Sequence, residues 1–142
     1  MSIPGGYAIA RKVLDAWVAD GRPGSWAGDS VDDVRIDTGR FKYVMLRVGD
    51  GDRSKLVVRG STAAKYHMNL LEAAKKEYGH LGLDLEPVGG GRIEHDPGMG
   101  SLSIYGYSSA FGQAVHDVAA ALCVRWMLLY DATGINVSYD GY

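Results

Sequence analysis

The segment from Ser101 to Tyr130 changes its hydrophobic period midway, and this change constrains the fold more than any other feature of the chain. Over 101–107, apolar and polar side chains alternate, with Leu102 and Ile104 on one face, which is typical of a strand. Beyond that point the apolar residues recur with helical spacing, which predicts a helix over 110–130. We therefore expect a strand that passes directly into a helix, as in an α/β domain.

Small residues occupy the junction between this strand and this helix: Ser108, Ser109 and Ala110. With Ser108 as the helix cap, backbone N–H groups that have no partner within the helix face outward, and a phosphate can approach them closely. An ordinary N-cap accounts for the same residues without any ligand. Farther along the helix, His116 and Asp117 are predicted to lie on its more exposed side.

A hairpin of two strands is predicted in the first half of the chain. The segment 41–48 alternates cleanly between two faces, which indicates a strand. Lys42 shares one of these faces with apolar residues, although a lysine stem can also carry its charge out to water. A Gly-Asp-Gly-Asp turn at 49–52 joins this strand to a second one at 55–59.

The helix that follows the hairpin contains the most informative histidine. Ser61 or Thr62 is predicted to cap this helix, which runs to about Tyr78. Its apolar stripe places His67 at the edge of the buried face. Such a histidine is often structural, but if its ring meets a cavity it is the natural proton acceptor of this chain.

Three consecutive glycines at 89–91 separate two short predicted strands, at 83–88 and 92–95. We interpret them as a sharp bend in a hairpin, because the Lys-Ser/Thr that follows the glycines of a P-loop is missing here. The sequence Glu-His-Asp at 94–96 suggests metal ligands only weakly, since neighbouring strand residues point to opposite faces. No metal site is therefore predicted.

The order of the elements predicts an α/β fold. Helices and strands alternate up to a final strand that begins at Gly134, which predicts a mixed β-sheet of about six strands with helices packed on both faces. A single domain at 31–142 accommodates these elements. Residues 1–30 form an N-terminal extension with a helix predicted over 7–20, and the sequence leaves open whether this helix covers the domain or meets a partner through Trp17.

The composition argues against several classes of protein. A net charge of −2 gives no bulk attraction to nucleic acid or to an anionic membrane. The chain has one cysteine, so no internal disulfide forms, and a reducing compartment is the simplest location. No apolar run reaches membrane-spanning length, and the N-terminus lacks the apolar core of a signal peptide. We therefore expect a cytoplasmic protein.

Seven stretches of the sequence occur together in an order that resembles one known family. They are FKYVMLRV at 41–48, KLVVRG at 55–60, KYH at 65–67, GGGRI at 89–93, YGYSSAFG at 105–112, the histidine at 116 and DGY at 140–142. Each stretch is weak alone, but the ordered set resembles the small protein phosphohistidine phosphatases of the Janus/ocnus family. The resemblance covers the chain from about Val31 to its end and implies a mixed sheet with a main helix on each side.

The resemblance also implies an activity and the residues that perform it. It implies hydrolysis of the P–N bond of phosphohistidine, and also of phospholysine, with neither a metal ion nor another cofactor. His67 is then the proton acceptor, and the turn at 108–110 binds the phosphate. Lys42 contacts the phosphoryl group, and Arg59 and Arg92 lie in or near the positive pocket.

These implications define the expected partner and leave alternatives open. The partner is a protein that carries phosphohistidine, with neither nucleic acid nor membrane bound, and the expected state is a monomer. His67 acts either as a general base toward water or as a nucleophile that forms a phosphoenzyme. Two other classes of function remain: a phosphate- or phosphopeptide-binding module without catalysis, and a regulatory protein that docks a partner through its N-terminal helix.

Overall fold

The computed structural model describes residues 26–127 and 134–140 of the 142-residue chain. The helix predicted at 7–20 lies outside these residues. The elements are β1 Val34–Arg35, β2 Gly39–Gly49, β3 Ser54–Ser61, α1 His67–Tyr78, β4 Asp84–Asp96, β5 Ser101–Tyr105, α2 His116–Met127 and β6 Ile135–Val137. Short 3₁₀ helices occupy Ala27–Ser30 and Gly79–Leu81.

The strands form a mixed six-stranded sheet in the order β1-β3-β2-β4-β5-β6. The central neighbours pair antiparallel, whereas β1 pairs with β3 and β5 pairs with β6 in parallel. This sheet, with helices against it, confirms the predicted α/β fold. Neither α1 nor α2 is long and apolar enough to cross a membrane. The domain boundary at residue 31 stays a prediction.

The long strand β2 divides the core into two layers, because its side chains alternate as predicted. Phe41 and Tyr43 are buried with α2, on what we call the α2 face of the sheet. Val44 and Leu46 are buried on the opposite face with the apolar side chains of α1, and we call this the α1 face. Lys42 belongs to the α1 face by the same alternation. Each fully buried Val or Leu side chain stabilises the fold by about 1.5–3 kcal/mol.

The triple glycine lies within one strand, so the hairpin bend predicted at 89–91 is wrong. Strand β4 pairs with β2 on both sides of the glycines, and the register shifts only at a bulge opposite Met45 and Leu46. A Cβ atom built on Gly89, where φ is +141°, would lie 2.6 Å from the backbone of Ala114. The glycines therefore allow another chain segment to approach the strand closely, which is a common reason for glycine within a strand.

Helix α1 begins at His67, later than the cap predicted at Ser61 or Thr62. These residues serve the preceding strand instead. Ser61 is still paired with β2, and the backbone N–H and hydroxyl of Thr62 donate to the carboxylate of Asp37 at 2.6 and 3.0 Å. Tyr66 then precedes the first helical turn in an extended conformation. The late start places His67 at the N-terminus of the helix.

Helix α2 begins at His116 and not at the junction with β5, so Ser108 is not its cap. The chain from Ser108 to Gly112 closes on itself through backbone hydrogen bonds of 2.8 and 3.0 Å. The carbonyl oxygen of Gly112 accepts from the N–H of Gly90 in β4, and the N–H of Ala114 donates to the carbonyl oxygen of Gly90. Helical conformation starts only after this attachment. The prediction that His116 and Asp117 are exposed is also wrong, since they are 0% and 4% exposed.

Candidate active site

A buried histidine lies at the N-terminus of α1. His67 is 6% exposed, and its Nε2 donates to the carbonyl oxygen of Gly91 at 3.0 Å. A carbonyl oxygen only accepts, so Nε2 carries the proton and Nδ1 holds the lone pair of the neutral ring. Nδ1 has no hydrogen-bond partner among residues 26–127 and 134–140. The site therefore contains one basic nitrogen on a ring of fixed orientation.

The surroundings of His67 favour its neutral form. Burial lowers its pKa below the ordinary value, and the positive charges of Lys42 and Arg92 lower this pKa further, whereas the hydrogen bond to Gly91 opposes the shift. The start of a helix adds in the same direction, because the positive end of the helix dipole disfavours an imidazolium. At neutral pH the ring is therefore uncharged and able to accept a proton.

His67 and Ser108 come together over Gly90 of β4. A Cβ atom built on Gly90 would lie 3.0 Å from Cδ2 of His67 and 3.0 Å from Cβ of Ser108. The same atom would lie 2.7 Å from the carbonyl oxygen of Tyr43. The missing side chain at Gly90 thus makes room for the predicted proton acceptor and the predicted phosphate-binding turn to lie side by side.

The turn at 108–112 is a closed loop with outward-facing backbone. Ser108 is buried, and its Oγ accepts the backbone N–H of Phe111 at 3.0 Å. Gly112 closes the turn with φ of +82°, a conformation that favours glycine. Ser109 and Ala110 are exposed, and the N–H of Ala110 has no partner within the described part of the chain. The turn therefore offers a backbone donor to a ligand, although it is not the start of a helix.

Two cations flank this pair on the α1 face. Lys42 and Arg92 are directly opposite each other on β2 and β4, so their side chains leave the sheet on the same face. Arg92 is two residues from Gly90 on β4, so both side chains leave the sheet beside the position where His67 and Ser108 meet. Both positive charges lower the pKa of His67. The structure thus brings together His67, Lys42, Arg92 and the 108–110 turn. Such a group attracts a phosphate dianion.

Arg59 is not brought into this group. Its guanidinium donates to the carbonyl oxygens of Val58 and Asp32 at 2.9 and 2.7 Å and to the hydroxyl of Tyr78 at 3.3 Å. Tyr78 is the last residue of the 12-residue helix α1. Because a helix rises about 1.5 Å per residue, this end lies well away from His67 at the first residue. In this structure Arg59 holds β3 against the end of the helix.

The Glu-His-Asp segment at 94–96 points in different directions, as the strand period predicts. The carboxylate of Glu94 accepts the hydroxyl of Tyr105 at 2.7 Å. The Nδ1 of His95 donates to the carbonyl oxygen of Asp37 at 2.7 Å. Both side chains therefore contribute to the packing of strand ends.

Two features of the site have no counterpart among the sequence predictions. One is the carbonyl of Gly91 that orients His67. The other is the packing of His116 on the opposite side of the same strand, since the sequence predicted this residue to be exposed. The sequence contains a signal for this second contact. Gly91 lies opposite Tyr43 in the sheet, and a glycine on the α2 face leaves a gap that another ring must fill.

The arrangement suits chemistry on a phosphoryl group. Backbone N–H groups and cations stabilise phosphate oxygens, and they are most effective where water is partly excluded. A neutral imidazole beside them can take a proton from water or attack phosphorus itself. The site therefore combines anion binding with a base in one place.

The fold defines a small α/β domain with a mixed sheet, and comparison with known proteins narrows this class to one family. The model of the Janus/Ocnus family matches residues 28–130. The chain is 41% identical over 105 residues to sex-regulated protein janus-A of Drosophila melanogaster, with 73% of this chain and 76% of that protein covered. It is 36% identical over 120 residues to the 14 kDa phosphohistidine phosphatase of Homo sapiens, with 79% of this chain and 94% of that protein covered. The chain belongs to the Janus/Ocnus family.

Proposed function

We propose that this protein hydrolyses the P–N bond of phosphohistidine in protein substrates, without a metal ion, and that His67 is the general base. The observation that carries the proposal is that His67 and Ser108 both lie against Gly90, where the absence of a side chain leaves room for them. The name of the human relative, a phosphohistidine phosphatase, supports the same activity. Family membership alone is a weaker argument, because the janus-A relatives are named only as sex-regulated proteins.

Phosphate binding in this proposal depends on backbone and cations together. The N–H of Ala110 and the hydroxyl proton of Ser108 hold phosphoryl oxygens, and Lys42 and Arg92 compensate their charge. Hydrogen bonds to charged groups contribute about 1.5–3 kcal/mol each. The same contacts position phosphorus beside His67, and positioning with charge stabilisation is most of what phosphoryl transfer requires.

The hydrolysis itself needs one proton acceptor. Nδ1 of His67 takes a proton from a water molecule, and the water oxygen forms a bond to phosphorus. The other ring nitrogen of the phosphohistidine carries a proton taken from solvent, so when the P–N bond breaks and its electron pair stays on the nitrogen, the imidazole departs as a neutral ring. The products are inorganic phosphate and the unmodified histidine side chain, and the proton on His67 is then released to solvent.

The leaving group explains why phosphohistidine fits this site better than a phosphate ester. Once its second ring nitrogen is protonated from solvent, imidazole departs as a stable neutral ring, so the enzyme does not have to supply a strong acid. An alkoxide from phosphoserine leaves poorly and calls for a general acid as well as a base. The groups assembled around Gly90 provide one base and several donors to phosphate oxygens, which matches the phosphoramidate.

A nucleophilic His67 is the competing mechanism within the same proposal. Nδ1 then attacks phosphorus and forms a phosphoenzyme, which water hydrolyses in a second step. Rapid quenching with a labelled substrate distinguishes the two routes. Label that remains on His67 within the first turnover indicates the nucleophile, and its absence during turnover indicates the general base.

The test of the function is the release of phosphate from a phosphohistidine peptide. We expect hydrolysis by the wild-type protein, equal rates with and without a chelator, and a loss of at least about 100-fold in His67→Ala, the lower range of general-base effects. His80→Ala is the matched control, because His80 is exposed and lies at the far end of α1. Phosphate binding that protects the fold without any hydrolysis would instead make the protein a phosphate-binding module.

A further inference from the structure

A second buried histidine lies behind the site, on the α2 face of β4. His116 is fully buried, and the proposed hydrolysis does not use it. A Cβ atom built on Gly91 would lie 2.6 Å from Cε1 of His116 and 3.0 Å from Cε1 of Tyr43. These two rings therefore pack directly on the backbone of the residue whose carbonyl oxygen orients His67.

Hydrogen bonds fix the ring of His116 in one orientation. Its Nε2 donates to the carbonyl oxygen of Gly106 at 2.8 Å, so its Nδ1 is the acceptor and the hydroxyl of Tyr43 donates to it. Burial lowers the pKa of His116, which keeps the ring neutral and preserves this pattern. Tyr139 stacks on the ring with centroids 5.0 Å apart.

The partner of His116 leads into the phosphate-binding turn. Gly106 joins the end of β5 to Tyr107 and Ser108. On the other side of the turn, the side-chain amide of Gln113 also donates to the carbonyl oxygen of Gly106, at 3.1 Å. The imidazole of His116 thus contacts both Gly91 of β4, whose carbonyl oxygen orients His67, and Gly106, which precedes the turn.

We propose that His116, held by Tyr43, is a positioning residue that sets the carbonyl of Gly91 and the 108–110 turn at the separation the reaction requires. The inference rests on the proposed hydrolysis of phosphohistidine. A misplacement of about 1 Å can cost roughly 100-fold in rate, so a ring that fixes both backbone segments controls turnover. Core packing alone would need the aromatic ring of Tyr43 but not its hydroxyl.

The test compares two tyrosine variants on either side of the same imidazole. Tyr43→Phe removes the donor to His116, whereas Tyr139→Phe removes a hydroxyl that is bonded to Asp117 at 3.0 Å. We expect Tyr43→Phe to lower kcat on a phosphohistidine peptide about tenfold with KM changed less than about twofold, a part of the full positioning effect. We also expect it to shift the ¹⁵N resonances of His67 toward a mixture of tautomers. Tyr139→Phe should change neither.

Equal effects of the two variants, or an unchanged kcat and unchanged His67 resonances in a folded Tyr43→Phe protein, would overturn the proposal. His116→Gln, which retains an amide donor, takes the place of Tyr43→Phe if that variant does not fold. The ¹⁵N measurement does not depend on turnover. A wild-type protein without hydrolysis would therefore contradict the proposed function, while the His67 resonances would still decide whether His116 positions that ring.

Discussion

The ring of His67 has one nitrogen bound to the protein, and this bond determines what the other nitrogen can do. Because the carbonyl oxygen of Gly91 accepts from Nε2, the proton-accepting atom must be Nδ1. Burial and the nearby cations lower the pKa of the ring, so Nδ1 is available at neutral pH. A histidine that merely filled the core would not need cations beside it.

Replacing Lys42 tests the electrostatic part of this account. Lys42→Met keeps the length of the side chain but removes a charge that lowers the pKa of His67. We expect the acid limb of kcat/KM to move toward higher pH, because the imidazolium becomes less unfavourable. KM should rise about tenfold or more, since a hydrogen bond to a charged group contributes about 1.5–3 kcal/mol.

The matched control for this variant is Lys76→Met on the exposed surface of α1. It removes the same charge from the protein and should leave both the pH profile and KM unchanged. If Lys42→Met shows an unshifted acid limb, Lys42 does not act on the base.

At the residue scale, the turn at 108–110 and His67 were proposed from the residues themselves, whereas the roles of Lys42, Arg59 and Arg92 rest on family resemblance. The strand period alone puts Lys42 on one face, but nothing in that period says that His67 reaches it. Arg59 shows that a residue role taken from a family does not always fit the individual structure. Its guanidinium is hydrogen-bonded at the end of α1 that lies away from His67. Residue type and order do not predict the direction of each long side chain.

At the scale of elements, the consecutive glycines of strand β4 make room for side chains on both faces of the sheet. Gly90 makes room for His67 and Ser108 on the α1 face, and Gly91 makes room for His116 and Tyr43 on the α2 face. Two histidines therefore lie on opposite sides of neighbouring glycines. The sequence pattern did not predict this, because a run of glycine is equally typical of a turn and of close packing.

Filling the space over Gly90 should strongly reduce turnover. The Cβ of Gly90→Ala would press on a backbone carbonyl at 2.7 Å and on both His67 and Ser108 at 3.0 Å. We expect a loss of about 100-fold or more in kcat/KM, because displacement of about 1 Å is enough. Overpacking should also cost about 1–3 kcal/mol of unfolding free energy. Urea denaturation and peptide hydrolysis measure the two effects.

Gly79→Ala is the control for this substitution, since a Cβ there meets nothing within 4 Å. It should leave activity unchanged and stability equal or slightly higher. Full activity of a folded Gly90→Ala protein would show that the substrate is not bound over β4.

The two helices were predicted in the right order, but each begins later than its Ser/Thr signal indicates. Thr62 bonds to Asp37, and Ser108 closes a turn, so neither side chain is available to cap a helix. Hydroxyl side chains satisfy backbone groups in turns as readily as at helix starts. Which of these uses occurs depends on the group that the tertiary structure brings next to the hydroxyl. The sequence alone does not show which group that is.

At the scale of the whole molecule, the alternation of helical and strand periods was enough to predict a mixed sheet between helices. That prediction succeeds because burial on two faces imposes regular patterns, as in β2. The order of strands, with β3 beside β1 and β2, depends on pairing between distant segments, which no local pattern records.

The buried neutral histidines make the stability of the whole fold depend on pH. The pKa values of His67 and His116 are both lowered in the folded state, so the unfolded chain binds more protons below the ordinary value of about 6.5. We therefore expect the free energy of unfolding to decrease as the pH falls through about 6.5 and below. Urea denaturation across this range measures the slope. His67→Gln should reduce it, and His80→Ala should not.

A titration of the ¹⁵N-labelled protein with inorganic phosphate tests most directly whether one site contains both the base and the anion-binding turn. The account predicts that the imidazole nitrogens of His67 and the backbone amide of Ala110 shift together and saturate with one dissociation constant. Shifts confined to one of them, or two different dissociation constants, would show that the histidine and the turn belong to separate sites and would contradict the account.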